Sequence, residues 1–283
     1  MSNNSNKKMN KCNRCVLDET VPELTLNING WCQYCDIYDS LCENYPLGDG
    51  GAKKLQEVVD NIKSKSKNEY NCIIGVSGGV DSTFTLLQAK RLGLKPLAVH
   101  CDTGWNTKIA VSNISKACTK LDIDLYTLVV DWEEFRDLQR SFLKSSTPDA
   151  DIPADMAIFA TLFKVASKKG VKHILNGHSF RTEGVSPVGW TYYDGLYIKN
   201  VQKKYGKIKL KKFPNFTIVD YVYHVILKKT KIVQFLNYFE YSKEAAKVVL
   251  MKELDWKDPG GHHHENSFTH FFQTRCLMAV KGN

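Results

Sequence analysis

The sequence predicts an α/β protein: a parallel sheet with helices on both faces, preceded by a small cysteine-anchored module and followed by a mostly helical C-terminal extension. Three observations carry that expectation. Apolar runs of strand length alternate with helical stretches from Tyr70 to Asn176. The first of those strands runs straight into a Ser-Gly-Gly-x-Asp-Ser turn, Ser77 to Ser82, that opens a helix. Upstream, Cys12-x-x-Cys15 and Cys32-x-x-Cys35 have the spacing of two metal knuckles.

Taken in order, residues 1–48 are expected to form a zinc ribbon, with Cys12, Cys15, Cys32 and Cys35 as its thiolate ligands. A zinc held by four sulfurs keeps no open position for water, so its expected role is to fold a segment too short to bury a core. Cys42, Cys72, Cys101, Cys118 and Cys276 are scattered singly. Met1 to Lys11 is Asn- and Lys-rich without an apolar stretch, which argues against a secretory signal and for reduced thiols in the cytoplasm. No apolar run approaches the length of a membrane span.

Residues 49–195 are expected to hold the α/β core. A Gly-rich linker at Gly48 to Gly51 leads into a polar helix reaching about Lys67. Strands are expected at Tyr70 to Val76, Lys95 to Cys101, Leu125 to Val130 and His173 to Asn176. Between them lie helices from Asp81 to about Leu92, Thr107 to Leu121 and Asp131 to Lys144, the last opened by a capping-box arrangement with Glu134. Another helix has Pro153 at its first position and stops at Gly170. In residues 196–283 the expectations are a Lys-rich hairpin turned at Gly206, then helical stretches near Tyr221 to Tyr238 and Ser242 to Leu254, after a loop from Ser179 to Asp194.

The turn after the first strand has the chemistry of a phosphate site. Gly78 and Gly79 let backbone N–H groups face an anion with no Cβ in the way, and the following helix adds the positive end of its dipole. Ser77, Ser82 and Thr83 bring hydroxyl groups to the same place, and Asp81 suits a helix cap or a magnesium ligand on the phosphates. The spacing is not that of a Walker loop, and no lysine follows the glycines. In parallel sheets ligands bind beyond the carboxyl ends of the strands, where His100, Asp102, Gly177 and His178 also fall.

A formal net charge of +9 over 283 residues favours polyanionic ligands, either nucleotides and sugar nucleotides or RNA. Lys199, Lys203, Lys204, Lys207, Lys209, Lys211 and Lys212 concentrate much of it, with alternation that reads as a solvated strand face. Near the end, His262, His263, His264 and Glu265 follow a flexible Pro-Gly-Gly turn. Adjacent histidines point in different directions, which favours a grip on an anionic substrate over a compact metal site.

The Ser77-to-Ser82 turn resembles the PP-loop of the N-type ATP pyrophosphatases, the adenine nucleotide α-hydrolase-like fold. Together with the cysteine knuckles, His100-Cys101-Asp102-Thr103-Gly104-Trp105-Asn106, Asp131-Trp132-Glu133-Glu134-Phe135, Ile152-Pro153-Ala154-Asp155, Asn176-Gly177, Thr182-Glu183-Gly184 and Gly260-Gly261-His262-His263-His264-Glu265, nearly the whole chain is similar to the N-acetyl sugar amidotransferases of bacterial lipopolysaccharide, O-antigen and related surface-glycan synthesis. That resemblance implies conversion of the acetamido group of a nucleotide-activated sugar to an acetamidino group through an O-adenylated intermediate, with ATP going to AMP and pyrophosphate. It implies ATP, Mg²⁺ and structural Zn²⁺ as cofactors. The implied catalytic residues are Ser77, Asp81, Asp155 and Glu183, and the nucleotide set is Gly75, Ser77, Gly78, Gly79, Val80, Asp81, Ser82, Thr83, His100, Asp102 and Gly177. Trp105, Asn106, Thr182, His263, His264 and Glu265 are the implied sugar contacts. Ammonia would arrive from a glutaminase subunit through a cyclase-like barrel subunit, since no cysteine here pairs with a histidine as an amide-hydrolysing nucleophile. The rival expectation is a tRNA-thiolating PP-loop enzyme, which also combines zinc knuckles, ATP and a basic surface. Such enzymes use a cysteine pair or an iron–sulfur cluster beside the loop, and here no Cys-x-x-Cys follows Asp81, which disfavours nucleic acid as the partner.

Overall fold

A computed structural model describes residues 10–65, 68–147, 149–187, 194–261 and 264–276. In chain order these form α1 (Gln33–Asn44), α2 (Gly48–Ser64), β1 (Cys72–Gly75), α3 (Val80–Arg91), β2 (Pro96–Asp102), α4 (Lys108–Leu121), β3 (Leu125–Val129), α5 (Trp132–Ser145), α6 (Ile152–Lys169) and β4 (His173–Asn176). They continue as α7 (Phe180–Glu183), α8 (Gly195–Tyr205), α9 (Ile218–Tyr221) with a π-helical turn Val222–Leu227, β5 (Lys231–Gln234) with a 3₁₀ turn Phe235–Tyr238, α10 (Lys243–Leu254), and α11 (Ser267–Phe271) with a π-helical turn Phe272–Cys276. No helix among the described residues is long and apolar enough to cross a membrane.

All five strands are parallel, in the order β3-β2-β1-β4-β5. Alternation along β1 sends Cys72 and Ile74 to one face and Ile73 to the other. The first face packs on Val59 and Ile62 of α2, Leu86 of α3, Ile114 of α4 and Leu250 of α10. The second packs on Phe135 and Leu138 of α5, Ala160 and Phe163 of α6, and Ile198 of α8. Each of the Val, Leu, Ile and Phe side chains among these, when fully buried, contributes about 1.5–3 kcal/mol of transfer free energy. Strand order runs outward from β1 to β3, then returns to β4 on the other side of β1. A crevice therefore opens beyond the carboxyl ends of β1 and β4, the switch point where such sheets take ligands.

Local signals placed most helix ends. Thr107 caps α4 by accepting from the Ala110 N–H at 3.3 Å, and α6 stops at Gly170 with φ +67°. Asp131 caps α5 through the Glu134 N–H, but the Glu134 side chain does not reach back to complete a box.

Three expectations are corrected. The Lys-rich segment is not a hairpin, because α8 runs through Lys199, Lys203 and Lys204 to Tyr205, and the chain beyond Gly206 lies along α5. Its backbone donors go to carboxylates: Asp137 accepts from the Lys207 and Ile208 N–H groups at 2.7 and 2.8 Å. The buried Glu134 carboxylate accepts from Lys211, Lys212 and Phe213, the last at 2.9 Å. With these five N–H groups held by carboxylates, the alternating stretch is fixed without a partner strand. The Gly48-to-Gly51 stretch is no linker but the first turn of α2; a Cβ on Gly51 would lie 2.1 Å from the Pro46 carbonyl oxygen, so close packing calls for glycine there. Between Tyr221 and Tyr238 the helix ends at Lys228, since Lys229 takes φ +57°, and Lys231–Gln234 adds to the sheet beside β4.

Candidate functional site

The four knuckle cysteines converge at the N-terminus, their sulfurs all within 4.8 Å of one another. Cys12–Cys35, Cys32–Cys35 and Cys15–Cys32 sulfurs are 3.8, 3.7 and 3.5 Å apart. Four sulfurs bound tetrahedrally at ~2.3 Å from a zinc would be spaced by about 3.8 Å, so this donor set fits that ion. Backbone N–H groups of Arg14 and Cys32 donate to the Cys12 sulfur at 3.4 and 3.3 Å, the outer hydrogen bonding a thiolate ligand needs.

At the switch point the strand–turn–helix forms as the sequence predicted. Gly78 takes φ +83°, and a Cβ there would sit 2.3 Å from the Ala110 carbonyl oxygen, so only glycine lets the turn lie against α4. No side chain caps the first turn of α3, so its leading N–H groups have no side-chain partner there, and Val80, Asp81 and Ser82 of that turn line the cleft. The Ser77 and Ser82 hydroxyls are 3.3 Å apart, and the Gly79 N–H donates to Ser77 Oγ at 3.3 Å. Gly177, just past β4, approaches so closely that a Cβ would be 3.1 Å from the Asp81 carbonyl.

The cleft above this turn is lined by Ser77, Gly79, Val80, Asp81, Ser82, Glu183 and Glu265, all expected, and by Lys243, Glu244, Lys247, Trp256 and Asp258, which sequence reasoning missed. Lys243 lies 3.3 Å from the Asp81 carboxylate and 4.0 Å from that of Glu183, and Lys247 pairs with Asp258 at 2.8 Å. They stand one turn apart on α10, opened by Ser242 as its cap. Their i, i+4 spacing was the available signal, but the same spacing marks any solvated helix face. Tyr241 donates its hydroxyl to Asp81, and burial followed by that bond raises its pKa far above the ordinary phenol range. His178 pairs with Glu183, whose hydrogen bond raises the imidazole pKa. A Cβ built on Gly79 would meet a Glu265 carboxylate oxygen at 3.0 Å, so Glu265 already lies against the turn.

The remaining expected residues form the shell around this cleft. Gly75 ends β1 against Leu162, and Thr83 is buried with its hydroxyl donating to the Gly79 carbonyl at 2.7 Å. His100 is buried, its Nδ1 2.9 Å from the Val76 carbonyl oxygen. A carbonyl only accepts, so Nδ1 carries the hydrogen and Nε2 accepts from the Asn106 amide at 3.3 Å. Asp102 in turn accepts from Gly104 N–H and Asn106 Nδ2, both at 2.9 Å. Trp105 donates to Gln139 and packs on Trp132 and Phe268. Asn106 bridges to Asn266, Thr182 Oγ1 donates to the Ser179 carbonyl, and His264 packs on His270. Asp155 sits in the first turn of α6, outside the cleft lining. The surrounding protein, then the charges of Asp149 and Asp151, push its carboxyl up to about 7 although it is open to solvent. His262 and His263 lie outside the described residues.

No protein-family model matches the chain. Over 146 residues, 46% of this chain, the sequence is 27% identical to the tRNA-specific 2-thiouridylase MnmA of Neorickettsia sennetsu, and the matched stretch spans 39% of that protein. The parallel order β3-β2-β1-β4-β5 with a glycine turn after β1 is the α/β architecture with helices on both faces that the sequence predicts. The chain also aligns with the NH3-dependent NAD synthetase of Campylobacter jejuni at TM-score 0.38 and 16% identity, covering 83% of this chain and 96% of that one. The NMN synthetase of Francisella tularensis aligns at TM-score 0.35 and 14% identity, over 72% of this chain and 94% of that one.

Proposed function

We propose that this chain is an ATP-dependent, AMP-forming amidotransferase that turns the acetamido group of a nucleotide-activated sugar into an acetamidino group. The observation that carries the reading is the glycine turn at Ser77 to Ser82, with the uncapped N-terminus of α3 and two lysines of α10 around one cleft. Lys243 and Lys247, each paired with a carboxylate of the cleft, are the cations beside a loop that lacks a Walker lysine. Two segments far apart in sequence that carry the resemblance meet at the turn. Asn106 bridges to Asn266, Thr107 N–H donates to the Glu265 carbonyl, and the Glu265 carboxylate lies against Gly79.

An amide carbonyl is a poor electrophile, so its oxygen attacks the α-phosphate of ATP and expels pyrophosphate, giving an O-adenylated imidate. Ammonia adds to the imidate carbon and AMP leaves with the original oxygen. The Gly79 amide, the Ser77 and Ser82 hydroxyls and the two lysines stabilise the departing pyrophosphate, a matter of positioning and charge. Asp81, which lines the cleft, would hold a magnesium ion that neutralises phosphate charge. Of the two other implied catalytic carboxylates, candidates for magnesium or for the ammonia path, Glu183 lines the cleft and Asp155 does not. Ammonia comes from a glutaminase partner with a barrel subunit. Buried Cys72, Cys101 and Cys118 all have thiols pushed up by burial, the latter two to about 11, which is the opposite of an activated nucleophile.

The match to a thiouridylase favours tRNA thiolation as a second reading. Cys101, the cysteine at the end of β2, opposes it, being buried with a raised pKa and hydrogen-bonded by Thr161 at 3.7 Å. Mass spectrometry after incubation of the protein with ATP, ammonium and a panel of acetamido sugar nucleotides decides between them. AMP, pyrophosphate and an amidine product, with glutamine serving only after a glutaminase is added, are expected. Release of ADP, or sulfur transfer to tRNA with no reaction on any sugar, would overturn the proposal.

A further inference from the structure

The peptide between Gly78 and Gly79 is held from outside the loop. Its carbonyl oxygen accepts two N–H donors, Asn113 Nδ2 of α4 at 3.1 Å and Trp256 Nε1 at 2.9 Å. Both side chains are buried, at 1% and 3% exposure. Asn113 has no freedom to turn: its second amide hydrogen goes to the Lys257 carbonyl at 2.8 Å, and its oxygen accepts from the Lys257 N–H at 2.9 Å. In a planar trans peptide the N–H points opposite to the C=O. Pinning the Gly78 carbonyl toward α4 and Trp256 therefore aims the Gly79 N–H at Ser77 Oγ and the cleft.

Between two glycines a peptide flip meets little steric resistance. Flipped, this peptide would present a carbonyl oxygen to an incoming anion and would leave two buried N–H groups without acceptors. We propose that Trp256 and Asn113 are positioning residues that keep the Gly78–Gly79 peptide with its N–H toward the cleft, presetting the turn for pyrophosphate. The inference rests on the reading of the cleft as a pyrophosphate site. It gives the segment after α10 a defined task, since Trp256 and Lys257 couple that segment to the loop through Asn113.

Isothermal titration of the full chain with magnesium pyrophosphate and, separately, with adenosine tests this. Trp256→Phe keeps the apolar contact and removes the donor. It is expected to weaken pyrophosphate binding by about 3- to 10-fold while adenosine binding stays within about twofold, because only the anion uses the peptide. If Trp256→Phe fails to fold, benzothienylalanine at position 256, which has the shape of tryptophan without its N–H, gives the same comparison. Unchanged pyrophosphate affinity, or an equal loss for adenosine, overturns the positioning role while leaving the pyrophosphate site standing. A wild-type chain that binds no pyrophosphate overturns both.

Discussion

The Tyr241 hydroxyl donates to the Asp81 carboxylate, tying the chain just before α10 to the first turn of α3. Lys243 approaches the other oxygen of the same carboxylate at 3.3 Å, so Asp81 is oriented from two sides and faces the cleft. Asp81→Ala is therefore expected to abolish conversion of ATP to AMP, measured by nucleotide chromatography, while the chain still folds. Tyr241→Phe should be milder. It keeps the ring against Phe84, 5.3 Å between centroids, and loses one hydrogen bond to a partly exposed charge. A cost of about 1.5 kcal/mol, or a fall of about 3–6 °C in Tm, follows. ATP affinity should fall with it, and a Tyr241→Phe protein with wild-type Tm and ATP affinity would refute the role given to the bond.

The cysteine cluster predicts about one zinc per chain by elemental analysis. Cys12→Ser or Cys35→Ser should lose the metal and open residues 10–44 to rapid proteolysis, because the small cluster around Val21 and Tyr34 has little apolar core of its own. ATP binding by the remaining chain should persist, as the sulfurs are taken up by one another and do not line the cleft. Substoichiometric zinc in freshly purified protein would count against the centre.

Where a structural decision is local, the sequence reads it. The glycine turn is written in consecutive residues, and so are the caps at Thr107 and Asp131 and the stop at Gly170. The knuckles are legible because metal ligation fixes a spacing. Ile232 and Val233 gave no comparable signal, since their strand exists only by pairing with Ile174 and Leu175. The alternating lysines resembled a strand because the carboxylates that satisfy their backbone, Glu134 and Asp137, lie some seventy residues earlier. Lys243 and Lys247 enter the site only because α10 packs beside α3, a tertiary fact that their i, i+4 spacing alone does not distinguish from a solvated face.

Glu134 gives the third prediction. Its buried carboxylate takes N–H groups of Lys211, Lys212 and Phe213, and Gln at this position would turn an NH₂ group toward donors. Glu134→Gln is expected to cost about 2–4 kcal/mol and to speed amide hydrogen exchange in residues 207–213. If that segment kept its protection in the variant, some other partner would have to hold it.

Asp155 predicts a pH dependence of opposite sign to that of a paired carboxylate. The protein around it, then Asp149 and Asp151, raise its pKa from 3.8 to about 7, so the fold favours the protonated form. At low pH both folded and unfolded chains hold the proton and the site costs nothing. As pH rises from 3.8 toward 7 the unfolded chain gives up a proton that the folded chain retains, and stability is lost across that window. Asparagine mimics the protonated acid and does not titrate. Asp155→Asn should therefore match wild type near pH 4 and melt about 1–3 °C higher at about pH 8, the small size reflecting solvent screening at an open site. Thermal scans from pH 4 to 8 in magnesium-free buffer measure the difference. A gap between the two proteins that stayed constant with pH would mean that Asp155 titrates as an ordinary surface carboxylate.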